Sequence, residues 1–124
     1  MNRNSSAAPR IAASLIAIGV MTSPAHAAEF SRNITIQRVA GVSTDRPAYP
    51  GAQSVFRIYA SSAQPWGTSS CRSDAADLSM DDWHIYSIVM RAWKENLQVT
   101  VVVESSSRID TTDSVCKIVA VNVL

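Results

Sequence analysis

The first 27 residues constrain this chain most, because they have the three-part pattern of a secretory signal peptide rather than that of a folded element. Two arginines precede an uncharged run over residues 11–21 that is rich in Ile, Ala, Leu and Val. Ala25-His26-Ala27 then matches a small-residue cleavage site. The run is too short for a membrane helix, which needs about 20 residues, and this argues against a retained anchor. We therefore expect a secreted or periplasmic protein with one domain over residues 28–124.

The charge of the remaining chain excludes two classes of partner. Removal of Arg3 and Arg10 from the 11 basic residues leaves nine against 10 acidic residues, a net charge of −1. Nucleic-acid binding needs a basic face that displaces counterions from phosphates, and anionic membranes attract polybasic segments. We expect no nucleic-acid partner and, after signal cleavage, no membrane span.

Two cysteines, Cys71 and Cys116, remain in the chain after cleavage. In an exported chain they favour one intramolecular disulfide. The alternatives are an intermolecular bridge or two free thiols. A bridge that closes a loop of about 45 residues stabilises a small domain by at most about 4 kcal/mol in the chain-entropy estimate.

Four segments show the two-residue alternation typical of strands, at residues 33–42, 54–60, 97–104 and 115–124. In the first, the alternation changes phase, which predicts a β-bulge near Gln37-Arg38. In the last, it places Ile118 and Val121 on opposite faces. Residues 43–53 and 61–70 contain Pro and Gly and read as loops, the second of which includes a short irregular strand in one interpretation.

A helix is predicted between the second and third of these strands. Ser79 and Asp82 match a capping box at its start. The apolar positions then recur at steps of three and four: Trp83, Tyr86, Val89, Met90 and Trp93. This pattern places Trp83 and Trp93 in the core. Because Ile85, Ile88 and Ala92 widen the apolar stripe, a second subunit is a candidate to cover part of it.

The residues available for catalysis are few. His84 is the one histidine left after cleavage, and Ser87 and Asp81 are its neighbours on the helix surface. This arrangement does not specify an activated serine, so we interpret His84 as a structural or surface residue. The cysteines lack the paired spacing of zinc sites, and the acidic residues around Asp77 lack the calcium-loop pattern. We expect no enzyme, no metal and no cofactor.

Trp66 lies in a Pro-Trp-Gly loop beside Thr68, Ser69 and Ser70. An exposed indole with neighbouring hydroxyls can stack on a sugar ring and donate hydrogen bonds to it. Trp66, Thr68 and Ser69 are therefore the candidate ligand-binding residues. In the alternative interpretation, the tryptophan folds back over the core near the disulfide.

The sequence of Trp66-Gly67-Thr68-Ser69, a helix over residues 83–93 and a strand over residues 97–104 resembles the binding subunits of bacterial AB5 toxins, especially the subtilase cytotoxin B-subunit type. The resemblance covers about 40 residues, and it does not extend to the disulfide placement. It implies an oligonucleotide/oligosaccharide-binding (OB) barrel, a ring of five subunits and recognition of cell-surface glycans.

Together these patterns predict a small α+β domain. Its fold is a curled, mostly antiparallel sheet or OB-like barrel of about five strands with one helix. We expect a non-enzymatic binding module of the toxin B-subunit type with a glycan ligand. The alternative is a secreted or periplasmic protein that binds another protein, such as an enzyme inhibitor or an envelope accessory factor.

Overall fold

The computed structural model describes residues 28–124, and the predicted signal peptide lies outside the described residues. The elements are β1 (Glu29–Gly41), a 3-10 turn (Pro50–Ala52), β2 (Val55–Ala60), β3 (Ala75–Ser79), α1 (Trp83–Lys94), β4 (Gln98–Glu104) and β5 (Lys117–Val123). Five strands and one helix over this range confirm the predicted α+β class.

The strands form a closed barrel in the order β1-β2-β3-β5-β4. All neighbours are antiparallel except β3 and β5, which are parallel and meet in the single pair Asp77 and Lys117. The helix connects β3 to β4. This order of strands and helix is OB-like, as the sequence predicted.

β1 is long enough to pair with two neighbours, β4 along its first half and β2 along its second half. Ile36 lies opposite Ala60 and Arg38 lies opposite Tyr59, so Gln37 is an extra residue without a partner. Such a bulge bends and twists its strand, which turns β1 from one neighbour to the other. The predicted bulge is confirmed.

The core fills the barrel with the inward-facing residues of each strand. Val99, Val101 and Val103 of β4 are fully buried, as the alternation predicts. Phe56 and Ile58 supply the same face of β2. The helix adds Ile85, Val89 and Ala92 to this core.

The predicted faces of β5 were wrong because this strand also takes part in a bulge. Val102 lies opposite Ala120, and Val103 lies opposite Ile118, so Val119 is the extra residue. The phase of the alternation changes there. Ile118 and Val121 are consequently both buried, although they were predicted to face opposite ways.

The sequence analysis missed β3 and assigned the wrong capping residue to the helix, whose start at Trp83 is as predicted. Ser79, the predicted capping residue, is the last residue of β3, and its hydroxyl accepts a hydrogen bond from the backbone N–H of Asp81 at 3.3 Å. Asp82 occupies the N-cap position without a side-chain capping bond. The predicted capping box was therefore wrong, because Ser79 belongs to β3 and three further residues separate it from the helix.

The prediction that Trp83 and Trp93 are core residues was also wrong. Trp83 is 62% exposed and Trp93 is 37% exposed, whereas Ile85, Val89 and Ala92 face the barrel. The helix is apolar on more than one side, so its periodicity does not select the inward face. The side of α1 with the smaller side chains packs against the barrel.

The disulfide between Cys71 and Cys116 is confirmed, with the two Cα atoms 5.4 Å apart. It joins the segment before β3 to the residue before β5, where the two strands share only one pair. The backbone N–H of Arg72 donates to the carbonyl of Ser114 at 3.0 Å beside it. The bridge fits a protein that resides outside the reducing cytoplasm.

Replacing both cysteines by alanine should lower the free energy of unfolding by about 2–4 kcal/mol, because the unfolded chain regains the entropy of an open 45-residue loop. Urea unfolding at neutral pH measures the change. Dithiothreitol should destabilise the parent protein and leave the double variant unaffected. A double variant as stable as its oxidised parent would contradict this account.

Candidate functional site

An open groove with a volume of about 670 Å³ lies on the outside of the barrel where β1 pairs with β2. It is bounded on one side by the β1 bulge and on the other by the β2–β3 segment (residues 61–74). Eight residues line it: Gln37, Arg38, Tyr59, Ala60, Ser61, Ala63, Arg72 and Asp74. We call this the β1–β2 groove.

The bulge in β1 supplies one wall of the groove. Regular alternation would turn one of two successive side chains into the barrel. Because the bulge interrupts the alternation, Gln37 and Arg38 are both exposed, and both line the groove. The Arg38 guanidinium carbon lies 3.9 Å from the ring centre of Tyr59, a cation–π contact.

The opposite wall is an ion pair within the β2–β3 segment. Arg72 donates from Nε and Nη2 to the two carboxylate oxygens of Asp74, at 2.6 and 2.9 Å. The bond to Asp74 raises the pKa of Arg72, and the bond to Arg72 lowers the pKa of Asp74. Both groups are therefore charged at neutral pH, and the groove offers carboxylate acceptors beside guanidinium donors.

A buried ionic cluster lies next to this wall, between β2, β3 and the β4–β5 segment (residues 105–116). Arg57 donates to both oxygens of the Asp77 carboxylate, at 2.6 and 2.9 Å. It also reaches Asp110 at 3.3 Å and Asp113 at 3.1 Å. The side chain of Asp77 is fully buried, and that of Arg57 is 12% exposed. The cluster fastens the β4–β5 segment to the outside of the barrel.

The charges in this cluster depend on one another. Burial raises the pKa of Asp77, while the bond from Arg57 acts in the opposite direction. The Asp77 carboxylate is in turn the main reason that the pKa of Arg57 is raised. The backbone N–H of Ser114 and the two nearby guanidinium groups lower the pKa of Asp113 against the effect of its burial.

The structure places Trp66 in the core, with only 1% of its surface exposed. Its indole N–H donates to the carbonyl of Arg72 at 3.0 Å, and the Arg32 guanidinium carbon lies 4.8 Å from the ring centre. The indole is therefore not free to stack on a sugar in this conformation. The alternative interpretation, a tryptophan folded over the core near the disulfide, is confirmed, since Trp66 and Cys71 share the hydrophobic cluster.

Arg32 holds the chain around Trp66 against β1. Its guanidinium donates to the carbonyls of Gln64, Ser73 and Ser62, at 2.5, 2.8 and 3.0 Å. Burial lowers the pKa of Arg32. These bonds satisfy carbonyls of a loop that the barrel does not pair, so they fix the β2–β3 segment as one boundary of the groove.

Gly67 allows the turn after Trp66. Its φ of +55° lies in the left-handed region, and a Cβ atom there would overlap the Phe30 ring. Thr68 is exposed, whereas the Ser69 hydroxyl donates to the carbonyl of Trp66 at 2.5 Å. Neither Thr68 nor Ser69 belongs to the β1–β2 groove. Their role in ligand binding stays a prediction.

His84 is exposed on the first turn of α1, as interpreted from the sequence. The Ser87 hydroxyl donates to the carbonyl of Trp83 at 3.0 Å, which directs it along the helix rather than to His84. Within residues 28–124, no group of three or more His, Cys, Asp and Glu side chains is arranged to hold a metal ion. The carboxylates around Asp77 are turned toward guanidinium groups instead.

The sequence analysis did not select the groove residues. Their one available signal was the predicted bulge at Gln37-Arg38, since bulges often lie next to functional sites. The pairing of Arg72 with Asp74 has no such signal, because two charged residues in a loop are typical of a solvated surface.

Comparison of the chain with protein-family models, curated proteins and solved structures found no match in any of the three. In the part of the chain that the structure describes, no helix has the length and apolar character needed to cross a membrane.

Replacing Arg57 with methionine should lower the free energy of unfolding by about 3–5 kcal/mol, because it leaves the Asp77 carboxylate buried without a counter-charge. Adding Asp77→Leu should recover most of this loss. Urea unfolding of the single and double variants measures both effects.

Arg91→Met is the matched control, since Arg91 pairs with Glu95 at 3.1 Å on an exposed helix surface. We expect it to change stability by less than about 0.5 kcal/mol. An Arg57 variant no less stable than the Arg91 variant would show that the cluster does not hold the fold together.

Proposed function

We propose that this protein is a secreted, non-enzymatic binding module that recognises glycans through the β1–β2 groove. One observation carries the proposal: Tyr59 lies among hydrogen-bonding side chains in an open groove on the outside of an OB-like barrel. Barrels of this class bind oligosaccharides and oligonucleotides on their surfaces. The near-neutral charge of residues 28–124 argues against an oligonucleotide ligand.

The chemistry of the groove suits a sugar. Tyr59 supplies an aromatic ring, and saccharides present C–H faces that pack on such rings. Gln37 and Arg38 supply donors on one side, and Asp74 supplies carboxylate acceptors on the other. A volume of about 670 Å³ is in the range of ordinary ligand sites and holds a short oligosaccharide.

Arg38 controls access to the aromatic ring. Its guanidinium lies over Tyr59 at 3.9 Å, so a sugar that stacks on this face must displace it. A displaced guanidinium would remain within reach of the ligand and could donate hydrogen bonds to its hydroxyls. We therefore expect both Tyr59 and Arg38 to contribute to affinity.

On a glycan array, Tyr59→Ala and Arg38→Ala should each reduce binding at least about tenfold, the effect of losing one stacking or charged contact of about 1.4 kcal/mol. The matched controls are Tyr49→Ala and Arg46→Ala. These two residues form a similar pair, with the guanidinium carbon 4.5 Å from the ring centre, outside the groove. We expect the controls to bind as the parent does.

Thr68→Ala tests the binding site predicted around the Trp66 loop, and under the present proposal it leaves binding unchanged. A parent protein that binds no glycan on the array would contradict the proposed function. Binding that depends on Thr68 and not on Tyr59 would move the site to the Trp66 loop.

We further propose that the subunits assemble into a ring of five, as the resemblance to toxin B-subunits implies. The exposure of Trp83 and Trp93 on α1 supports an additional contact on this face, because single large aromatic side chains anchor protein interfaces. The same exposure favours the alternative function, a module that binds a different protein.

Light scattering should give the mass of five subunits, and Trp83→Glu should reduce that mass without lowering the melting temperature. Tyr49→Glu is the control, since Tyr49 is 57% exposed in the β1–β2 loop rather than on the helix. A monomer in solution would contradict the ring. A monomer that retains a stoichiometric protein from envelope extract would support the alternative function.

A further inference from the structure

We propose that Asp113 of the β4–β5 segment is a positioning residue for the β1–β2 groove, which it orders by fixing the side chain of Arg72. This inference rests on the proposed function, because it concerns the same groove. It assigns a binding role to a segment that does not line the groove.

Asp113 supplies the contact that Asp74 cannot. The Asp74 carboxylate occupies Nε and Nη2 of Arg72, and Nη1 donates to the Oδ2 atom of Asp113 at 3.0 Å. The guanidinium is thus held from two sides by carboxylates from two segments of the chain. The two bonds to Asp74 align the guanidinium with a carboxylate two residues away in the same loop. The bond to Asp113 ties this pair to a second segment of the chain.

Asp113 is itself fixed by the rest of the cluster. Its Oδ1 atom accepts from the backbone N–H of Ser114 at 2.7 Å. Its Oδ2 atom also accepts from Nη1 of Arg57 at 3.1 Å. The same oxygen therefore joins the Arg72 wall of the groove to the buried pair of Arg57 and Asp77.

The backbone around Asp113 is held in place independently of this side chain. The disulfide at Cys116 and the bond from the N–H of Arg72 to Ser114 hold one end of the segment. The N–H of Thr111 donates to the carbonyl of Gly51 at 2.9 Å near its middle. Replacing the Asp113 side chain should therefore leave Arg72 held by Asp74 alone while leaving the fold in place.

Fixing Arg72 in advance affects affinity through entropy. A free arginine side chain loses rotamer freedom when a ligand orders it, and this loss subtracts from binding. A side chain that Asp74 and Asp113 already hold loses less. Asp113 should consequently raise the affinity for a ligand that it does not touch.

Asp110 provides the matched control. Like Asp113, it lies in the β4–β5 segment and bonds to Arg57, at 3.3 Å. Its other oxygen accepts from the N–H and the hydroxyl of Thr112. None of its side-chain bonds in the described part of the chain goes to Arg72, so Asp110→Asn perturbs the cluster and leaves the groove wall intact.

The experiment compares Asp113→Asn, Asp113→Glu and Asp110→Asn in two measurements. The first is the ¹⁵N heteronuclear NOE of the Arg72 Nε–H group in the ligand-free protein, which reports how rigidly the side chain is held. The second is the Kd of the glycan that binds the parent most tightly on the array, measured as its free methyl glycoside by calorimetry.

We expect Asp113→Asn to lower the Arg72 NOE and to weaken glycan binding about threefold to tenfold, the effect of having to order one flexible side chain on binding. Asp113→Glu should restore part of both values. Asp110→Asn should leave the Arg72 NOE unchanged and Kd within twofold. The urea midpoint of each variant shows whether the fold is retained.

An unchanged Arg72 NOE in Asp113→Asn would overturn the positioning role, whether or not a glycan binds. A lowered NOE with an unchanged Kd would overturn the link from Arg72 to affinity. If the parent binds no glycan, the proposed function fails, and the NOE comparison still decides whether Asp113 orders Arg72.

Discussion

Arg57 points outward from β2 and is enclosed there by Asp77 of β3 and by Asp110 and Asp113 of the β4–β5 segment. A guanidinium in this position stays charged and has three carboxylates around it, whereas removing the arginine leaves the Asp77 carboxylate buried without a counter-charge. The cluster therefore makes the position of the β4–β5 segment depend on the pairing of β2 with β3. A segment of 12 residues without regular structure is held against the barrel by these ion pairs, by the disulfide and by single backbone hydrogen bonds rather than by a strand ladder.

The β1–β2 groove depends on the same arrangement. Its floor is the pair of strands β1 and β2 beside the bulge at Gln37, and one wall is Arg72 with Asp74. Arg32 fixes the loop that carries this wall by donating to three of its carbonyls. Core packing, backbone hydrogen bonds and ion pairs thus hold the walls and floor of the groove in place before a ligand binds. Such preorganisation lowers the entropy that binding costs.

The sequence predicts the parts of this structure that follow from local alternation and from the cysteine count. The core face of β4, the bulge in β1 and the disulfide all belong to this group, and all are confirmed. The alternation pattern does not predict a strand that contains a buried charge, or the faces of a strand that takes part in a second bulge. β3 was missed because Asp77 interrupts an apolar run, and its burial depends on Arg57, a residue 20 positions away.

The candidate site was harder to predict for the same reason. Tyr59, Arg38 and Asp74 come together only when β1 pairs with β2 and the β2–β3 segment folds beside them. An isolated tryptophan in a polar loop reads as a binding residue, yet Trp66 is buried because Arg32, distant in sequence, holds its loop inward. Pairings between distant residues decide which aromatic side chain is exposed, and a single sequence does not record them.

The seam between β3 and β5 has a consequence for how this barrel can vary. These strands share one residue pair, and the disulfide lies immediately beside it. A covalent bond therefore helps to hold the strands together here, whereas several backbone hydrogen bonds do so between the other strand pairs. Shortening either strand here would leave closure to the disulfide and to the single backbone bond from Arg72 to Ser114. Conversely, a homologue that works in a reducing compartment would have to lengthen both strands along this edge before it could dispense with the cysteines.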